Sequence, residues 1–216
     1  MAELERRFAL DVGRLADENV EAQLHEWLDA GDHPLPWVDP QHVTADEWFF
    51  VTTLYGEMTL DGQRSHIRRF FKPLFVRAAQ RDIRNFREGM SEYAGLRSTW
   101  MARRLWKMGA LLRSRGLAMS EYVDWLRRLE QQATPQEPTP ALDTIVRDLQ
   151  ATGWKTLSVF VRDCVGGNSF PIDSRVSKEL SRWNLPVNER VLVGLSLSIN
   201  RNPRQTARLF FEAGGG

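Results

Sequence analysis

The chain has 216 residues, is 42% hydrophobic and 26% charged, and carries a formal net charge of +1. That length accommodates one domain or two small lobes with a sizeable core, and the balanced charge excludes an acidic solvating tail or a long basic arm. The single cysteine, Cys164, excludes an internal disulfide and a four-thiolate zinc or iron–sulfur site, so a reducing cytoplasm is the expected compartment.

The hydrophobic pattern predicts helices nearly throughout. Leu4, Phe8, Val12 and Leu15, then Leu24, Trp27 and Leu28, recur at helical spacing, with a stop at Gly31. Residues 31–43 read as a proline-rich connector. Thr44-Ala-Asp-Glu47 has the spacing of a capping box and opens an apolar helix through about Gly56. Further helices are expected near 62–79, with an interruption or fresh start at Pro73, and near 80–88. One follows from Ser98 or Thr99 to about Arg115, and Ser120 is the expected cap of the next, which ends near Gln132. Residues 133–140 read as a linker. Helices then fit 141–150, 154–165, 174–183, 189–199 and 203–213. Asn202-Pro203 is a strong start signal for the last of them. About ten helices and no strand define an all-α chain.

The small net charge hides a strong division. Residues 1–63 hold 3 Lys/Arg against 14 Asp/Glu, residues 64–116 hold 14 against 3, and residues 117–216 hold 12 against 11. The basic middle is the footprint expected of a polyanion partner. Within it, Arg64, Arg68, Arg69 and Lys72 follow one helical side, which suits a phosphate track. Only four of the 29 cationic residues are lysines: Lys72, Lys107, Lys155 and Lys178. No two of the four histidines have i, i+4 metal spacing, and no glycine-rich nucleotide loop is present, so neither metal nor cofactor is expected. No apolar run of about 18 residues is present, so no membrane span is expected.

The stretch with chemical content is 149–180. A short helix ends, turns through Thr152-Gly153, and a new helix starts at Trp154-Lys155. Backbone N–H groups at such a turn can hold a phosphate. Asp173 follows Lys155 by 18 residues, in Phe-Pro-Ile-Asp-Ser, at the start of the next helix.

This frame resembles the helix–hairpin–helix DNA glycosylase superfamily, the group of endonuclease III and the 8-oxoguanine glycosylases. Gly153, Lys155, Pro171 and Asp173 match the family's hairpin glycine, its lysine and its proline-led aspartate at the family's spacing. Gly153-Trp-Lys155 with Phe160-Val-Arg-Asp163 is most similar to the compact archaeal-type 8-oxoguanine glycosylases. Leu54-Tyr-Gly-Glu-Met-Thr59 sits where the family has the segment that fills the gap left by a flipped base, with Glu57 as the filling residue. The resemblance spans roughly residues 44–213. The chain departs from the pattern at Ala151, where the family has the first hairpin glycine, at Leu157, where it has a small residue, and at Glu57, where it has Gln or Asn.

The resemblance implies a two-lobed helix–hairpin–helix glycosylase-like fold, with 44–160 as a central bundle and 1–43 plus 161–216 as the second lobe. It implies a monomer that acts on double-stranded DNA containing a damaged base, with Lys155 as nucleophile and Asp173 as electrostatic partner and proton acceptor. Gly153, Thr152 and Trp154 would meet the DNA at the hairpin. A lysine amine used this way must shed its proton near neutral pH, which an arginine does not do. The subgroup points to oxidised guanine as the base. A monofunctional glycosylase, a non-catalytic DNA-binding module and a protein-interaction scaffold remain open on the residues alone. Taken singly, Asp173 reads as a helix N-cap and Lys155 as a surface lysine. Trp100, Trp154, Trp183, Phe210 and Phe211 read as core more than as a base pocket.

Overall fold

The computed structural model describes residues 2–17, 44–54, 84, 99–150 and 153–214. Among them all regular structure is helical, and its main elements are nine α-helices and a π-helical turn: α1 (Ala2–Leu15), α2 (Ala45–Leu54), α3 (Thr99–Arg115), α4 (Met119–Glu130), α5 (Pro140–Asp148), α6 (Trp154–Phe160) running into the π turn Val161–Val165, α7 (Ser174–Arg182), α8 (Glu189–Ser198) and α9 (Pro203–Ala213). The expected helices near 62–79 and 80–88 and the connector 31–43 lie outside the described residues, apart from helical Arg84.

Local chemistry explains the helix starts. At α2 the capping box forms as expected: the Thr44 N–H donates to Glu47 Oε2 at 2.7 Å, and the Glu47 N–H donates to Thr44 Oγ1 at 3.3 Å. At α9 the Asn202 Oδ1 accepts the Arg204 N–H at 2.9 Å, with Pro203 in the first turn. Ser120 is not the cap of α4. The Ala118 N–H donates to the Glu121 carboxylate at 2.6 Å, and Met119, 2% exposed, is the first helical residue. The reaching carboxylate and the buried methionine move the start ahead of the serine. Helix α3 ends where Gly116 takes φ +64, with the Leu117 N–H returning to the Leu112 carbonyl at 3.0 Å.

The chain divides into two compact units. The first contains α1, residues Arg127–Asp143 and residues 161–214. Its core joins Phe8, Val12 and Leu15 of α1 to Phe170, Leu180, Leu192 and Phe210. The α1 residues fall at i, i+4 and i+7, one face of the helix. Helix α9 is the hub of this unit, packing against α1, α7 and α8. Phe210 stacks on Phe8 at 6.1 Å between ring centroids and meets Phe170 at 5.8 Å.

Residues 127–143 join the unit of the chain's two ends rather than the expected central bundle. Two polar anchors account for this. The Arg127 guanidinium donates to the carbonyls of Cys164 and Val165 at 2.8 and 3.2 Å. The Glu130 carboxylate accepts N–H groups from Ala141 and Asn168. The proline-rich linker is accordingly not fully solvated: Pro138 and Thr139 are buried.

The second unit contains α2, α3, residues 119–126 and Thr144–Phe160. Phe49, Phe50, Val51, Thr52 and Thr53 of α2 are all fully buried. The two threonine hydroxyls turn back to the helix, onto the Trp48 carbonyl at 2.8 Å and the Phe50 carbonyl at 2.7 Å. Helix α2 packs on α3 and α6, and Phe49 meets Phe160 edge-on at 5.2 Å. Asp148 ties three helices together by accepting from Arg115 Nη2 at 2.7 Å and from the Tyr122 hydroxyl at 2.9 Å. Burial first, and Asp148 beside it, push the Tyr122 phenol well above its ordinary range.

Candidate functional site

The hairpin residues belong to the second unit. Five of the seven α6 residues, Thr156 to Phe160, are buried, so the helix is anchored along most of its length. Its first turn is the part that reaches solvent. Gly153 is exposed, Trp154 is 37% exposed and Lys155 is partly buried. Trp154 is therefore not a core residue, unlike fully buried Phe210; Trp183 and Phe211 pack against the core half-buried. The side chain of Trp100 and the whole of Thr152, Glu57, Arg64 and Arg68 lie outside the described residues.

Two cations of α3 lie beside this hairpin. The Lys107 ammonium donates to the Gln150 carbonyl, at the end of the segment that follows α5. Arg104 donates from Nη1 to the Thr53 carbonyl at 3.3 Å, in the last turn of α2. Its Nη2 lies beside Gly153, 3.4 Å from where a Cβ would stand. Arg104 and Lys107 are three residues apart and share a helix face. Their charged groups reach carbonyls at the C-terminal ends of α2 and α5, where carbonyls lack helical partners. The Gly153 carbonyl accepts the Leu157 N–H at 3.3 Å and so opens α6. The scarcity of lysine singled out Lys107 in the sequence; nothing there identified its acceptor.

Asp173 belongs to the first unit. It is the N-cap of α7, with extended backbone (φ −104, ψ −172), and its Oδ1 accepts the Val176 N–H at 2.8 Å. The carboxylate is thereby fixed in orientation. The loop that leads to it is tied down by two carboxylates from distant segments. Glu130 Oε1 accepts the Asn168 N–H at 2.6 Å, and Glu189 Oε1 accepts the Phe170 N–H at 2.6 Å. Gly167 packs so tightly that an added Cβ would come within 2.8 Å of Val161 Cγ1 and 3.0 Å of Glu130 Cδ. Neither glutamate was singled out in the sequence, where each looks like an ordinary acid at a helix end.

Burial pushes the Glu130 carboxyl up from its ordinary value of 4.5, against the two N–H groups that favour its charge. An acid with a raised pKa in the folded state takes up a proton on folding. Its contribution to stability is therefore largest at and below pH 4.5 and is lost as pH rises through the folded value. Glu130→Gln removes that titration and leaves one of two N–H groups without an acceptor. The variant is expected to be less stable by about 1–3 kcal/mol. Its deficit should be largest at the acid end of this window and shrink towards neutral pH, measured as thermal midpoints of both proteins across a pH series.

No group of three or more His, Cys, Asp or Glu among the described residues could hold a metal ion. No described helix is long and apolar enough to cross a membrane. No family model matches the chain, and no curated protein or solved structure shows significant similarity to it.

Proposed function

We propose that the chain is a DNA glycosylase with an associated lyase step, acting on a damaged base flipped out of the duplex. The observation that carries the reading is the pairing of two features at family spacing. Lys155 lies on the one turn of α6 that reaches solvent, and Asp173, 18 residues on, caps α7 after Pro171.

Each group has a defined task. Breaking the glycosidic bond builds positive charge on the sugar, which a nearby carboxylate stabilises. The resemblance assigns that charge, and the role of proton acceptor, to Asp173. The Lys155 amine forms a bond to the sugar carbon as the base departs with the electron pair of the old bond. Loss of the sugar-ring oxygen from that carbon leaves a Schiff base. Proton loss from the neighbouring carbon then expels the 3′ phosphate and nicks the strand, and water frees the lysine. The start of α6 is the platform from which Lys155 and the Trp154 ring would meet DNA. The compact archaeal-type subgroup that the hairpin resembles tips the substrate to oxidised guanine.

The test is a screen of base release against duplex oligonucleotides that each carry one lesion. Release of an oxidised guanine with strand nicking is the expected result. Release without nicking would support a monofunctional glycosylase, and absence of release from every lesion would refute the enzyme.

A further inference from the structure

The guanidinium of Arg204 is a positive charge with no hydrogen-bonded partner among the described residues. The π turn after α6 sets Arg162 and Asp163 side by side, and Arg162 grips the Asp163 carboxylate with both prongs, at 2.6 and 3.1 Å. The turn gives way to Gly166, whose φ of +79 lies in the left-handed region that favours glycine. Arg204 Nη1 lies 3.8 Å from where a Cβ on this glycine would stand. The Arg204 backbone is fixed, because its N–H donates to the Asn202 cap at 2.9 Å. The side chain is partly buried, yet no hydrogen bond or ion pair joins its guanidinium to any described residue. Asp163 is near enough to attract it and Arg162 near enough to repel it. One carboxylate therefore faces two guanidiniums, and Arg162 is the one that holds it.

A partly buried cation is disfavoured unless it is paired and hydrogen-bonded, and arginine does not escape by losing its proton. An anion with two oxygens in one plane would satisfy the open fork. Gly166 presents no side chain on the face where Arg204 lies, and the loop it begins leads in seven residues to Asp173.

We propose that Arg204, with Arg162 beside it, is a phosphate-binding site that takes one phosphodiester of the DNA strand. The identity of the anion rests on the glycosylase reading; the site itself rests on the arrangement of Arg162, Asp163, Gly166 and Arg204. It adds to the first unit an electrostatic contact independent of the hairpin.

The test is binding of an undamaged and an abasic duplex over a salt series, for the wild-type chain, Arg204→Met, Arg204→Gln and Arg204→Lys. Arg204→Met and Arg204→Gln should weaken binding about tenfold or more at low salt. They should also reduce the slope of log affinity against log salt by about 0.9. Arg204→Met should unfold at the same temperature as the wild type or higher, since an unpaired cation gives way to an apolar chain. Arg204→Lys should keep the salt slope and lose part of the affinity. Inorganic phosphate should raise the unfolding temperature of the wild type and not of Arg204→Met.

Unchanged affinity and slope in the variants would overturn the proposal. So would a lowered unfolding temperature, restored by lysine, with binding intact. A phosphate effect on stability without any Arg204 dependence of duplex binding would leave a free-phosphate site and refute the DNA assignment. Base release is read separately. DNA binding that depends on Arg204 in a chain that releases no base upholds this site and fails the glycosylase reading. Base release with Arg204-independent binding does the reverse.

Discussion

Lys155→Gln should eliminate covalent trapping on lesion DNA and lower strand nicking roughly 10³-fold or more. The side chain lies on the first turn of α6, and the buried residues that anchor the helix begin only at Thr156. Thermal unfolding of the variant beside the wild type separates loss of chemistry from loss of fold. Lys155→Arg sharpens the expectation. Arginine keeps the positive charge and much of the attraction to DNA, but it cannot present a neutral amine. Lys155→Arg should bind duplex nearly as the wild type does and form no Schiff base. If Lys155 were a phosphate contact alone, arginine would restore function in full. Single-turnover nicking beside duplex affinity distinguishes the two roles.

Asp173→Asn should reduce base release by roughly 10²–10⁴-fold while leaving the unfolding temperature nearly unchanged. Asparagine caps a helix about as well as aspartate, so the bond to the Val176 N–H, 2.8 Å in the wild type, survives the substitution. The charge does not. Asp173→Ala removes both and should in addition cost about 1 kcal/mol of stability. The pair separates cap from catalysis. A purely structural Asp173 predicts a silent Asn variant and a destabilised Ala variant with base release intact in the folded fraction.

Helix starts were readable where their chemistry is local. The Thr44–Glu47 box, the Asn202-Pro203 start and the Asp173 cap each connect residues two or three positions apart, and side-chain type at that spacing specifies the bond. Ser120 misled because Glu121, also within the same turn, reaches back to Ala118 and wins. Contacts across long separations left no such mark. Glu130 meets Asn168 across 38 positions and Glu189 meets Phe170 across 19. An acid at a helix end has the same appearance whether it faces water or anchors a distant loop. Trp154 shows the converse limit: its apolar ring suggested the core, but its place in the exposed first turn of α6 leaves it 37% accessible. The open guanidinium of Arg204 is equally hidden, because it depends on which of two arginines holds Asp163.

The scarcity of lysine makes the central claim accessible to one measurement. The chain is mixed with a duplex that holds a single 8-oxoguanine, reduced with borohydride, digested, and the DNA-linked peptide identified by mass spectrometry. With only four lysines, each falls on a distinguishable peptide. The account predicts one adduct, on the peptide that contains Lys155. An adduct on Lys72, Lys107, Lys178 or the amino terminus, or no adduct across a panel of oxidised bases and abasic DNA, would contradict it.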